Sequence, residues 1–556
     1  MTAPIEPEVF AFNQGADPLE SKTQLQYIEN IDAENKDTAV GDKVFSEILV
    51  SEYDLLSRSA VIRKCWMALM FAFMVSFGAI FDGYHNTLPA NIIANQGFIN
   101  TMGTVKDPVT GAPVLNALYI SAWGGTSNGV NAVSCILGGF VSDWMGRKFN
   151  MLCMTGFLMI ATIIEMVAKN WKVWLASKVF AAFGNGFSQS VLLTYISEVS
   201  PKQIRGGLCT SYAVILGLGQ LFASVALEIL EQTKWKLDWR RVIYTEWILT
   251  GMFLIFWFFI PESPWYYANK DLHDKAKHSL KRLHANIKDY DVEREYAVLR
   301  SEIDAAEALR AIQKETKWTE LFKGVNGRRT LISCFPPMFY NVVGSTIMFG
   351  YTTYFFQLAG LSDPFLGSLI LILSLIITEA IAFYTTDQIG RRPLALGACL
   401  FFGLSLGAIG ILGCFPITTT TSNALLGMAI IWVVAYGSGF APTMQTFVSE
   451  TSTPRLRAKT LAVAQGSGQA FGLIWSYCTP LMLSDQQANW GVKTAFFFSG
   501  TSFLGLFFYY FFMPELKGRT YGELDELFQK RIPARKFGTA KTQAQVQIEM
   551  TENVGV

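Results

Sequence analysis

The feature that most constrains this chain is a succession of apolar stretches, each near the roughly 20 residues that an α-helix needs to cross about 30 Å of hydrocarbon. Twelve lie between Cys65 and Met513, over 65–94, 116–140, 149–168, 172–197, 207–229, 242–260, 330–357, 365–385, 394–413, 424–449, 458–483 and 492–513. A soluble domain carries about 25% charged residues, whereas this chain of 556 has 16%, with 51% hydrophobic. Such apolar surface exceeds what a soluble fold buries, and a lipid bilayer solvates it directly. The expected fold class is therefore an all-α membrane protein of twelve spans. Lys and Arg total 45 against 44 Asp and Glu, so no basic field exists to hold nucleic acid. Seven of the eight cysteines (Cys65, Cys135, Cys153, Cys209, Cys334, Cys399, Cys478) sit in apolar runs and read as small buried hydrophobes.

Residues 1–64 read as a cytoplasmic tail, acidic through Glu6, Glu8, Asp17, Glu20, Glu29, Asp32, Glu34 and Asp37, with little apolar period and no cleavable signal segment. A polar stretch, 262–329, separates a first six-span bundle (65–261) from a second (330–514). It carries helical spacing in Ala276, Leu280, Leu283 and in Tyr296, Leu299, Ile303, and 515–556 forms a second cytoplasmic tail. Arg63, Lys64, the basic central stretch and Lys517, Arg519, Lys530 and Arg531 put both termini inside the cell. Lys234, Lys236, Arg240 and Arg241 blunt that contrast.

Four patterns recur in the same order at a separation of about 250 residues, the mark of an internal structural repeat. Asp143-Trp-Met-Gly146-Arg147-Lys148 is echoed by Asp387-Gln-Ile-Gly390-Arg391-Arg392. Gly184-Asn-Gly-Phe187 is echoed by Gly437-Ser-Gly-Phe440. Glu198 with Arg205 is echoed by Glu450 with Arg457, and Pro261-Glu262 by Pro514-Glu515. The chain reads as two parallel six-helix repeats.

These residues carry a resemblance. The Asp143 to Lys148 run, Trp239-Arg240, Pro261-Glu262-Ser-Pro-Trp265 and Pro514-Glu515-x-Lys517-Gly-Arg-Thr520 resemble the signature set of sugar porters of the major facilitator superfamily. Thr194 to Val199, Gly350 to Phe356 and Gly518 to Phe528 resemble the fungal maltose and general α-glucoside permease branch. The resemblance implies a sugar transporter of the plasma membrane, functional as a monomer, working by alternating access. It further implies that the charges Asp143, Arg147, Glu198, Arg205, Glu262 and their echoes Asp387, Arg391, Glu450, Arg457, Glu515, with Gly146 and Gly390 at the turns, bridge helices at the cytoplasmic ends. Those bridges are expected to close only when the inner gate is shut. By position, the family's sugar contacts fall on Gln220, Tyr340, Asn341, Thr346, Gln445 and Gln469. Amides suit a hydroxyl-rich ligand because they donate and accept at once. Tyr340, Tyr351 and Trp432 could add aromatic faces. Glycines and prolines in the first span (Gly78, Gly83, Pro89) and the seventh (Pro336, Pro337, Gly344, Gly350) mark both as breakable.

The chain also departs from the family. Tyr340-Asn341 stands where many sugar porters have two glutamines, and Ala213 occupies another contact position. Where the first span usually reads Gly-Tyr-Asp, with the Asp as proton carrier, it reads Gly83-Tyr84-His85, and Lys178 stands for the usual Arg. Asp82 lies one turn before His85, so an Asp82–Lys178 pair with His85 nearby is expected to restore charge balance and to titrate. The expected activity is proton-coupled uptake of an α-glucoside such as maltose. The alternatives are a facilitator without a proton and a non-transporting sugar sensor. No enzyme is expected: His273, His278 and His284 lack a zinc pattern, no phosphate-binding loop occurs, and neither cofactor nor metal is implied.

Overall fold

The computed structural model describes residues 49, 51–106, 111–288, 290–453, 455–519, 521–540 and 542. The acidic residues Glu6 to Asp37 of the first tail lie outside them. Twelve helical tracts follow one another: α1 (Trp66–Asn91), α2 (Ala117–Met145), α3 (Arg147–Val167), α4 (Trp171–Val199), α5 (Lys202–Gln232), α6 (Arg240–Phe259), α7 (Gly324–Val342), α8 (Pro364–Ile389), α9 (Arg391–Leu412), α10 (Thr419–Ala435), α11 (Arg457–Leu483) and α12 (Thr494–Phe512). Among the described residues eight helices, those of α1, α3, α5, α6, α8, α9, α10 and α12, are long and apolar enough to cross a membrane. The other four, α2, α4, α7 and α11, are too polar or too broken for that test. A helix hidden from lipid by its neighbours can carry such residues.

Helix ends follow local chemistry. On one face of the bundle, Asn116, Asn170, Asp363 and Thr418 accept backbone N–H bonds and start α2, α4, α8 and α10. On the other face two glycines turn the chain. Gly146 has φ +99° and Gly390 φ +106°, a region that disfavours any side chain. At each, a carboxylate from a distant helix end caps the helix that follows: Glu262 accepts from the Arg147 N–H at 2.9 Å and the Lys148 N–H at 3.0 Å. Glu515 accepts from the Arg391 and Arg392 N–H groups, both at 3.1 Å. Burial pushes the Glu262 carboxyl above its ordinary range, against those donors. The repeat read from the sequence is thus also a repeat of hydrogen bonds.

The first span is not broken. Pro89 falls in the last turn of α1 without breaking it, and the helix runs on to Asn91. The breaks are in the second half. α7 stops at Val342, Gly344 takes φ +92°, and the tract resumes after a π turn as a helix over Thr352–Leu358. α10 is likewise interrupted by a π turn at Tyr436–Phe440 before Ala441–Glu450. Between the halves, helices Pro264–Asn269, His273–Leu283 and Val292–Glu315 pack together through Ala268, Ala276, Leu280, Leu299 and Ile303. The strap Ser51–Leu55 docks on them, Ser51 Oγ donating to Glu295 at 2.8 Å. Strap and linker therefore share one face, called here the linker face.

Candidate functional site

A cavity of about 350 Å³ lies between the two halves. Its polar wall comes mainly from the four helices that fail the apolar test: Ser127, Asn128 and Asn131 of α2, Lys178 and Asn185 of α4, Tyr340 and Asn341 of α7, and Ser476 of α11. The arrangement gives those polar residues water or a ligand in place of lipid. α1 and α5 add His85 and Gln220, held by an unusually close crossing. A Cβ on Gly83 would stand 2.2 Å from the Leu216 carbonyl oxygen, and one on Gly219 would stand 2.1 Å from that of Ile80. Small residues at such a crossing let the two backbones touch.

The halves are fastened to one another on the face away from the linker. Thr353 Oγ1 donates to the Asn91 carbonyl and side chain, both at 3.0 Å, and Gln486 Nε2 donates to the Leu115 carbonyl at 2.9 Å. Tyr351 packs against Gly124 while its hydroxyl donates to the Ser476 carbonyl at 3.0 Å. Toward the linker face, the polar side chains Gln189, Gln445 and Gln465 are exposed. Among the described residues, the hydrogen bonds between the halves lie on the face away from the linker.

Behind its wall four ionisable groups from four helices meet. His85 Nδ1 lies 3.0 Å from Glu246 Oε2, and the Lys178 ammonium lies 3.4 Å from Glu165 Oε1. Both carboxylates are 0% exposed. Thr162 Oγ1 contacts Glu246 at 2.6 Å, and Lys178 sits over the Trp174 ring at 4.6 Å. Ligand atoms of His85, Glu165 and Glu246 gather within 4.8 Å of one another, the spacing of a cation site. The cation already beside them is the Lys178 ammonium.

Of the residues expected to meet the ligand, Gln220, Tyr340, Asn341 and Thr346 line the cavity, as does Tyr351. Asn341 donates to the Pro337 and Gly468 carbonyls, both at 3.0 Å, and its oxygen lies near Gly472. Gln445 and Gln469 do not line it. Gln445 is exposed and accepts from Gln465 at 3.3 Å. Gln469 stands one turn nearer the linker face than Gly472, where the α11 wall begins. Trp432 belongs to the core of the second half, its Nε1 donating to the Val343 carbonyl at 3.0 Å.

The expected Asp82–Lys178 pair is not formed. Asp82 accepts instead from Ser188 Oγ at 2.7 Å. Ser188 and Lys178 are ten residues apart on α4, about 15 Å along the axis, too far for one carboxylate to serve both. Lys178 pairs with Glu165 and His85 with Glu246, two carboxylates that the family resemblance does not mark. Each is a lone carboxylate in an apolar run, a signal that by itself marks a functional position in a membrane helix.

At the linker face Arg147 binds Glu198 through two nitrogens, Nη2 at 2.7 Å and Nε at 3.1 Å, and reaches Asp143 at 3.4 Å. This pair joins the α2–α3 turn to α4 within one half. It is closed here together with the contacts on the opposite face, so it braces a half rather than fastening the halves together. Arg205 does not reach Glu198 but lies on the first turn of α5. In the second half Arg457 donates to the Ser449 carbonyl at 3.0 Å, next to Glu450. The Asp387 side chain lies outside what the structure describes.

A family model described as "Sugar (and other) transporter" matches residues 69–528. The general alpha-glucoside permease of Saccharomyces cerevisiae is 28% identical over 504 residues, covering 88% of this chain and 80% of that protein. Maltose permease MAL31 of the same species is 30% identical over 414 residues, 72% of this chain and 66% of that protein. Among solved structures, the inward open conformation of the xylose transporter XylE from E. coli superposes with a TM-score of 0.68 at 17% identity, over 83% of this chain and 99% of that one.

Proposed function

From the premise that the chain belongs to the sugar (and other) transporter family and has the major facilitator fold, we propose that it carries an α-glucoside such as maltose across the plasma membrane together with a proton. It works as a single chain with both termini cytoplasmic. The observation that carries this reading is the cavity wall. Asn128, Asn131, Asn185, Gln220 and Asn341 converge there from both halves, with the phenols of Tyr340 and Tyr351. Amides that donate and accept beside aromatic faces match a ligand made of hydroxyls and CH faces. Named yeast relatives, a general alpha-glucoside permease and a maltose permease, support the choice of glucoside.

Alternating access needs two arrangements of the halves. In one, the Asn91–Thr353 and Leu115–Gln486 contacts hold and the cavity faces the linker side. In the other they break. The ionisable groups Asp82, His85 and Lys178, on the two helices beside the sugar, give a proton a place to bias that exchange.

Expression in a yeast lacking its own glucoside transporters tests this, with labelled maltose uptake and external pH followed together. Uptake with alkalinisation of the medium is expected. Uptake without it makes the protein a facilitator, and maltose binding without uptake makes it a sensor.

A further inference from the structure

His85 of α1, Glu165 of α3, Lys178 of α4 and Glu246 of α6 form a cluster whose fixed charges do not balance. Two carboxylates face one ammonium, and an unbalanced charge shielded from water is costly enough to shift where protons sit. One further proton, held between His85 and Glu246, brings the cluster to zero. Its place also settles what His85 shows the cavity. With the proton present, Nε2 of the ring carries hydrogen whether the pair is carboxylate and imidazolium or carboxylic acid and imidazole. With the proton gone, the bare carboxylate can only accept, so Nδ1 keeps the single ring hydrogen and Nε2 presents a lone pair.

Among the described residues, His85 Nε2, Glu165 Oε2 and Glu246 Oε1 each lack a hydrogen-bond partner, and of the three only His85 lines the cavity. His85 is 1% exposed and lines the cavity, and its Nε2 makes no hydrogen bond. Other ionisable groups nearby are engaged elsewhere: Asp82 with Ser188, Tyr84 with Thr245, and Lys178 with Glu165 under the Trp174 ring. Among the described residues no carboxylate lines the cavity, and apart from the phenols of Tyr340 and Tyr351 only His85 and Lys178 of its lining can ionise.

We propose that the Glu165–Lys178–Glu246–His85 cluster holds the transported proton, and that His85 Nε2 reports it to the sugar, donating to a hydroxyl when the cluster is loaded and only accepting when it is empty. The proposal rests on the reading of the protein as a proton-coupled sugar carrier and names the residues that couple. Because proton and sugar meet at one ring, each must strengthen the other's binding by the same factor. Asp82, bonded to Ser188 and away from the cavity wall, is then a positioning residue for α1.

The chain has only four histidines, so protein labelled with 15N-histidine gives four imidazoles, and His85→Asn identifies the signal of interest. In reconstituted protein the His85 ring is expected to carry hydrogen on Nε2 in acid and on Nδ1 alone in alkali. Adding maltose at an intermediate pH raises the fraction with hydrogen on Nε2. Glu165→Gln leaves one carboxylate against one ammonium, balanced without the extra proton, so Nε2 stays bare at a pH where it carries hydrogen in the native protein. Proton movement per maltose falls from about one toward zero in that variant. A ring bearing hydrogen only on Nε2 in alkali, or one indifferent to Glu165→Gln, overturns the proposal. The expected titration in a protein that neither binds nor moves maltose would support the proton cluster and instead defeat the α-glucoside reading.

Discussion

Gly83→Ala tests the α1–α5 crossing that sets His85 and Gln220 into the cavity wall. The added methyl would stand 2.2 Å from the Leu216 carbonyl oxygen, 3.1 Å from its carbon and 3.2 Å from the Gln220 nitrogen, where ordinary contact begins at 3.4 Å. All three obstacles are backbone, so no rotamer change relieves them, and the helices must part by about 1 Å. Two effects oppose each other. Alanine favours a helix over glycine by about 1 kcal/mol, while overpacking costs about 1–3 kcal/mol, with backbone obstacles toward the upper end. The clash wins, and the apparent unfolding temperature should drop by roughly several degrees, given about 2–4 °C per kcal/mol in a unit of some 200 residues. Gly156→Ala in α3 is the control, since its methyl meets nothing within 4 Å. There only the propensity term remains, and stability should hold or rise. Thermal unfolding in detergent gives the stabilities, and labelled maltose uptake gives the affinity, which Gly83→Ala should weaken by displacing Gln220 and His85. Equal stability and affinity in Gly83→Ala and the native protein would refute the claim that backbone contact at this crossing shapes the site.

Asn341→Ala removes a cavity side chain and should weaken apparent maltose affinity several-fold, the equivalent of about 0.5–1.5 kcal/mol, whereas Gln445→Ala, outside the cavity, should leave it unchanged in the same uptake assay. Glu262→Ala uncaps α3 and should lower the unfolding temperature, by the equivalent of about 1 kcal/mol or more. Asp143→Ala alters a carboxylate that is 80% exposed and should change stability little. His284 of the linker, stacked on Tyr290 at 4.7 Å, is held below the ordinary histidine range by burial. The unfolded chain therefore binds protons more readily than the folded one below about pH 6.5, and linker stability should fall on acidification through that range. Protease resistance of the linker between pH 5 and 7.5 reads this, and His284→Phe should flatten the profile.

What the chain determines locally is legible without coordinates. Membrane segments announce themselves because crossing hydrocarbon demands length and apolarity of each helix alone, and α1, α3, α5, α6, α8, α9, α10 and α12 show both. The paired turns at Gly146 and Gly390, with Glu262 and Glu515 as their caps, could be found because a duplicated turn keeps its residues in order. The cavity residues Gln220, Tyr340, Asn341 and Thr346 were within reach of a positional resemblance. Partnerships between helices were not. Asp82, His85 and Lys178 are readable as unusual residues, yet which carboxylate each meets depends on helix rotation and height, and a shift of one turn moves a side chain by about 5.4 Å. That shift separates Gln469 from the α11 wall, and a difference of ten residues along α4 separates Lys178 from Asp82's partner Ser188. Only packing, set by crossings as tight as Gly83 on Leu216, could bring Glu165 and Glu246 from two other helices against Lys178 and His85.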